Sequence, residues 1–298
     1  MIFSTGLRHP EGPVALEDGS WLVVEAGAGR GCVTQISPDG SSRRTLARTG
    51  RPNGLAVDKY GFVWVAESER PSLLRVSMDG RIEVARTECN GEPFLFPNDL
   101  CFGPDGALYL TDSGVLIHQW APDSRIRDDY MMAPIDGRVY RIEINTKRIT
   151  MLDRGLRFAN GIAFGPDEAL YVNESVTGMV YRYEWRNGVI TGPRQPFANV
   201  NDPSVSGYKG PDGMAFSSDG KLYVTVYGQR DVTVLSPSGE IIERIPTAGR
   251  NPSNVAFALP GRRGIFVTEC EMGQIEWFDV AIDGLPLWLG SQAGIAEV

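Results

Sequence analysis

The chain reads as an all-β protein, a six-bladed β-propeller with four antiparallel strands per blade. Three observations predict this. The first is a short phrase that recurs six times: a proline (once alanine), a small polar residue, usually glycine, then an apolar run. The copies are His9-Pro10-Glu11-Gly12-Pro13-Val14, Arg51-Pro52-Asn53-Gly54-Leu55-Ala56, Phe96-Pro97-Asn98-Asp99-Leu100-Cys101, Phe158-Ala159-Asn160-Gly161-Ile162-Ala163, Gly210-Pro211-Asp212-Gly213-Met214-Ala215 and Asn251-Pro252-Ser253-Asn254-Val255-Ala256. The second is spacing. The third residues of the phrase, here called slots, are Glu11, Asn53, Asn98, Asn160, Asp212 and Ser253, 41 to 62 residues apart. Units of roughly 40–50 residues that each hold four short strands have the propeller period. The third is the 35 glycines and 20 prolines among 298 residues, which call for many turns and short strands.

The elements follow in chain order. Ser4-Thr5-Gly6-Leu7-Arg8 before the first slot matches Asp153-Arg154-Gly155-Leu156-Arg157 before the fourth. The N-terminal Ile2-Phe3-Ser4 therefore reads as an outermost strand whose own first three strands are missing. Pairing it onto the last blade would close the ring and leave no open edge. The second unit is the template: Leu55-Ala56-Val57, a turn at Asp58-Lys59-Tyr60-Gly61, Phe62 to Ala66, a loop, Leu73 to Val76, a turn at Met78-Asp79-Gly80, then Ile82 to Ala85. These are β-branched and aromatic runs bounded by glycine and aspartate. The third unit repeats this with Leu100-Cys101-Phe102 and Leu108-Tyr109-Leu110, and the fifth with Met214-Ala215-Phe216 and Leu222 to Val226. The sixth supplies Val255-Ala256-Phe257, Gly264 to Val267 and Gln274 to Trp277. Blade starts fall near residues 10, 52, 97, 159, 211 and 252 of a single domain spanning 1–298, because such units bury their faces only by stacking. The tail after Asp283 has no place in the repeat.

Antiparallel strands put the start of the first and the end of the second at the same end of a blade. All six slots therefore face one side of the disc, near its axis. A lid-like insertion, residues 114–137, and a second one, Asn199 to Lys209, fall on that side, and long loops on one face of a rigid scaffold commonly shape a binding site. Pro38-Asp39-Gly40, Pro104-Asp105-Gly106 and Asp219-Gly220 are turns mostly on the opposite face. Gly27-Ala28-Gly29-Arg30-Gly31 lacks phosphate-loop spacing and reads as a flexible inter-strand loop.

Composition narrows the function. A formal charge of −8 argues against nucleic acid and anionic membrane surfaces and suits a site that gathers a cation. No secretory leader and no apolar run of spanning length is evident. Cys32, Cys89, Cys101 and Cys270 match no zinc or redox spacing and read as reduced and mostly buried, with a Cys89–Cys101 bridge disfavoured. The expected location is the cytoplasm and the expected partner a small molecule; the oligomeric state is open.

Glu11, Asn98, Asn160 and Asp212 put two carboxylates and two amide oxygens around one axis. That donor set suits one hard divalent cation, calcium foremost, with zinc, manganese or magnesium as alternatives. Asn53 and Ser253 are expected only to shape turns. Glu25, Glu67, Asp112, Glu174 and Glu269 end second strands on the same face; some could hold ligands in place, the rest being solvated or paired with arginines.

Pro-Glu-Gly-Pro at 10–13, Ala-Asn-Gly-Ile-Ala at 159–163 and Gly-Pro-Asp-Gly-Met-Ala at 210–215 resemble the motifs of the senescence marker protein (regucalcin)/gluconolactonase/luciferin-regenerating enzyme family, over nearly the whole chain. The resemblance implies a divalent metal held by Glu11, Asn160 and Asp212, with Asn98 as fourth ligand or substrate contact. It implies a lactonase, with Asp212 as general base as well as ligand. Sugar-lactone members carry an arginine two residues before the third slot; here Phe96 stands there. With Leu116, Ile117, Trp120, Met131 and Met132 in the insertion, this points to a less polar cyclic ester, or else to packing of the insertion on the disc. Phe96, Trp120 and His118 are the candidate substrate contacts beside Asn98. His9 is expected to pack or to support Glu11. The alternatives are a metal-dependent hydrolase or lyase acting on another cyclic or phosphotriester substrate, and a non-catalytic calcium-binding propeller.

Overall fold

The computed structural model describes residues 1–122 and 125–290. Six four-stranded antiparallel sheets are arranged as the blades of a propeller. Their first strands are Pro10–Ala15, Pro52–Val57, Pro97–Phe102, Ala159–Phe164, Gly210–Phe216 and Pro252–Phe257. The last sheet is completed from the other end of the chain: Ile2–Thr5 pairs antiparallel with Gln274–Asp279, as the repeat predicts.

Burial explains the strand sequences. Second strands such as Trp21–Glu25, Val63–Glu67 and Leu108–Asp112 are buried at every position, because neighbouring blades cover both faces. They accordingly lack the alternation of a half-exposed strand. Outer strands such as Ile82–Arg86 and Ile241–Pro246 are mostly exposed. The core consists of apolar clusters between adjacent blades. Trp64 and Leu73 meet Leu100 and Leu110, for example, and Trp21 and Val23 meet Phe266 and Ile275 across the closure. Each fully buried large side chain contributes about 1.5–3 kcal/mol. A further cluster lies on the site face, where Val115 and Trp120 of the insertion pack on Phe96, Phe158 and Val176.

The tail after Asp283 crosses the face opposite the slots. Gly284 bridges to Ser217, Leu285 N–H donates to the Phe216 carbonyl at 2.8 Å, and Trp288 sets its ring 5.8 Å from that of Phe164. All four cysteines are free, Cys32 and Cys89 buried. Among the described residues no helix is long and apolar enough to cross a membrane.

Candidate active site

Every slot sits on a β-bulge. The register of each first strand against the second shifts at the phrase, between Glu11 and Val14, Pro52 and Leu55, Pro97 and Leu100, Ala159 and Ile162, Pro211 and Met214, and Pro252 and Asn254. A bulge bends the strand and re-aims a side chain. Here it turns the slot side chains out of the ladder toward the axis. The glycine after the slot answers a close approach. A Cβ on Gly161 would meet the Asp212 carbonyl and Gly213, and one on Gly54 would meet Asn98 and Asp99. The two units without that glycine place Asp99 and Asn254 there instead, and the Asn254 amide favours the charged form of Asp99.

The asparagines are held from behind. Asn98 Nδ2 donates to Ser113 Oγ at 2.9 Å, and Ser113 Oγ donates to the Ala159 carbonyl of the next blade at 3.0 Å. Asn160 Nδ2 donates to Ser175 Oγ at 3.0 Å, which donates to the Pro211 carbonyl at 2.7 Å. With Nδ2 tied down, each Oδ1 is fixed on the opposite side of its amide. Each serine lies 15 residues after its slot. That constant offset was present in the sequence and could have found them.

Asn53 does more than shape a turn. Its Nδ2 donates to Asn98 Oδ1 at 2.8 Å, so it orients the neighbouring slot and leaves that oxygen one further lone pair. Ser253 does hold its turn: its hydroxyl donates to the Pro10 carbonyl at 2.8 Å and ties the last blade beneath Glu11.

The carboxylates ending the second strands are buried rather than solvated, and among the described residues only Glu25 pairs with an arginine, Arg30. The others accept backbone N–H groups of the segment leading into each slot. Glu67 takes Arg51 at 2.7 Å, Asp112 takes Leu95 and Phe96 at 2.7 and 3.0 Å, Glu174 takes Arg157 at 2.7 Å, and Glu269 takes Asn251 at 2.8 Å. These bonds supply partners for donors that a bulged strand start leaves unpaired.

Glu11, Asn98, Asn160 and Asp212 lie at 5, 3, 6 and 8% exposure and line one cavity of about 820 Å³. Three of its sides differ in character. Phe96, Trp120, Phe158 and Ile117 form an apolar wall, with Trp120 stacked on Phe158 at 4.4 Å. Tyr208, from the second insertion, and Tyr227 flank Asp212; burial raises both phenols well above their usual range, so both are neutral donors. His9, Arg51 and Gly27 to Gly29 form the third side. Burial first, and the Arg51 guanidinium second, push His9 down to about 4, so its imidazole is uncharged at neutral pH. His9 and Phe158 hold φ of 52° and 73°, sparsely populated values for such residues.

Burial first, then like charge, raises Glu11 well above the usual carboxylate range, with Asp212 and Asp99 as the charges it faces. Asp212 is raised by burial and then by Asp99. Neither joins an ion pair among the described residues. Facing carboxylates of this kind are costly unless a cation lies between them. Among the described residues no group of three or more His, Cys, Asp or Glu is placed to hold a metal. The donor set instead combines two carboxylates with two amides, which excludes a thiolate–imidazole site and fits a hard, oxygen-seeking cation.

The structure thus brings Glu11, Asn98, Asn160, Asp212, Phe96, Trp120 and His118 to one cavity. His118 stands exposed at its rim. Met131 and Met132 point to solvent at 53 and 82% exposure and form no part of the wall. Sequence reasoning missed Arg51, Tyr208 and Tyr227 as lining residues and set aside Gly27 to Gly29, which also line the cavity.

Residues 10–271 match the family described as the SMP-30/gluconolactonase/LRE-like region. The chain is 25% identical to a gluconolactonase of Zymomonas mobilis over 88% of its own length and 76% of the relative's. It is 31% identical to the lactonase drp35 of Staphylococcus epidermidis over 52% of its length, and there it spans less than half of the relative, 42%. A solved gluconolactonase of Xanthomonas campestris superposes with a TM-score of 0.75 at 26% identity, over 96% of this chain and 89% of that one.

Proposed function

The chain belongs to the SMP-30/gluconolactonase/LRE-like family, and from that premise we propose that it is a divalent-metal-dependent lactonase. The observation that carries the proposal is the cavity floor: Glu11 and Asp212, buried, like-charged and without an ion-pair partner, beside amides that Ser113 and Ser175 orient. The lactonases among its relatives support the choice of reaction.

Glu11, Asn160 and Asp212 would hold the cation, with Asn98 as a fourth ligand or a substrate contact. When bound, the cation supplies Lewis acidity toward the lactone carbonyl. The chain's own groups do the rest. Asp212 takes a proton from the attacking water. The neutral phenols of Tyr208 and Tyr227 donate hydrogen bonds beside it. Trp120, Phe96 and Phe158 exclude bulk water and seat an apolar portion of the substrate. The hydrophobic wall favours a cyclic ester less polar than a sugar lactone. Calcium is the first choice of ion because every proposed ligand atom is oxygen.

The test is hydrolysis of a lactone panel before and after chelation, with calcium, zinc, manganese or magnesium added back. Activity should vanish on chelation and return with a divalent ion. Asp212→Asn and Glu11→Gln should each abolish it; full activity in both would remove the axial site from the mechanism.

A further inference from the structure

Among the described residues lining the cavity, Arg51 is the only lysine or arginine. It occupies, in the second unit, the position that Phe96 occupies in the third, immediately before the proline of the phrase. Its guanidinium lies over the Phe96 ring, with Cζ 5.6 Å from the centroid. Nη1 donates to the neutral hydroxyl of Ser68 at 3.2 Å. Nε and Nη2 have no hydrogen-bond partner among the described residues.

Two carboxylates act on this guanidinium through space, Glu11 and Glu67, and neither closes to an ion pair. Glu67 Oε1 accepts the backbone N–H of Arg51 and Glu69 at 2.7 and 2.8 Å, while its buried Oε2 has no hydrogen-bond partner among the described residues and does not reach the guanidinium. Glu69 lines the rim but is exposed and forms no ion pair with Arg51 among the described residues. Arginine stays protonated at any working pH. Glu11 and Glu67 offset part of the Arg51 charge at a distance, and Nε and Nη2 keep their hydrogen-bonding capacity for a ligand. A half-buried planar donor pair, backed by an aromatic ring and open to a ligand cavity, is the arrangement that receives a carboxylate.

We propose that Arg51 binds a carboxylate carried by the substrate, so that the preferred substrates are lactones bearing a ring carboxylate. This rests on the lactonase reading and deepens it. Phe96, on the adjacent blade, serves as the surface that orients the guanidinium. The amphipathic cavity then fits an amphipathic ligand: ester at the floor, carboxylate toward Arg51, ring carbons against Trp120 and Phe158.

The test compares a γ-butyrolactone carrying a ring carboxylate with its uncharged primary amide, in the wild type, Arg51→Met and Arg51→Lys. A charge-assisted hydrogen bond predicts that the wild type prefers the acid in kcat/KM by about 10–100-fold. In Arg51→Met that ratio should fall to about one, with an intermediate value in Arg51→Lys. The ratio is internal to each variant, so partial loss of folded protein cancels. A wild-type ratio at or below one, or a ratio unchanged in Arg51→Met, overturns the proposal while leaving a lactonase in place. A second arm titrates tetrahydrofuran carboxylate, which has no ester to open. If the wild type opens neither lactone, the lactonase reading fails and this arm decides alone. Binding weakened tenfold or more in Arg51→Met sustains the carboxylate site, and equal binding removes it.

Discussion

Replacing Glu11 with glutamine should stabilise the metal-free protein, an advantage that bound metal cancels. In the metal-free protein Glu11 faces Asp212 and Asp99 from a nearly sealed position, 5% exposed, and no cation closes on it. An uncompensated buried charge costs about 3–5 kcal/mol. Glutamine keeps the shape and removes that cost, so Glu11→Gln should stabilise the chelator-treated protein. At roughly 2 °C per kcal/mol for a chain of this size, the melting temperature should rise by about 6–10 °C. Saturating metal cancels that difference. An ion present at a thousand times its Kd stabilises the wild type by about 4 kcal/mol, whereas Glu11→Gln, with one charged ligand lost, should show little metal-dependent shift. Differential scanning calorimetry at pH 7, with chelator and with excess calcium, measures both. A Glu11→Gln protein that melts lower than wild type without metal would refute the repulsion argument. One that gains as much from calcium as the wild type would refute the ligand assignment.

Other perturbations probe the supports of the site. Ser175→Ala strands Asn160 Nδ2 and the Pro211 carbonyl, which should cost about 1–3 kcal/mol and weaken metal binding by roughly 10–100-fold in a calorimetric titration; wild-type affinity would show that the serine does not orient the asparagine. Burial pushes Asp99 up to about 6 from its ordinary 3.8, so the folded state holds that proton more tightly. The contribution of Asp99 to the stability of the metal-free protein should therefore rise as pH falls from about 6 to about 4. Asp99→Asn should stabilise it by up to about 3 kcal/mol above pH 6 and hardly at all below pH 4, and a difference independent of pH in thermal melts would contradict this. Gly161→Ala drives a methyl into the Asp212 carbonyl and Gly213. It should cost at least about 1–3 kcal/mol of stability in denaturant unfolding, and a neutral result would mean that the first strands are not packed this closely.

Much of this protein is written in local pattern. The six-fold phrase places the first strand of every blade, the match between Ser4-to-Arg8 and Asp153-to-Arg157 predicts the closure by Ile2–Thr5, and the irregular slots mark the cavity floor. These features are legible because a propeller repeats one supersecondary unit, so equivalent residues recur at similar spacing along the chain. The serine clamps were equally local, 15 residues after their slots, and went unread because serine in a loop carries no chemical signature of its own.

Other features had no local signature. Asn53 grips Asn98, Asp99 meets Asn254, and Arg51 lies over Phe96, in each case between residues of different blades. Tyr208 reaches Asp212 from an insertion whose length the sequence showed but whose course it did not. The strand-end carboxylates looked like surface charges until the fold buried them against the backbone of the segment that leads into each slot. The sequence by itself determined the ring, its closure and the candidate ligands, because those follow from a repeated local period. Only the tertiary structure decided which side chains orient those ligands and what charge waits beside them, because such contacts arise where one blade packs on the next.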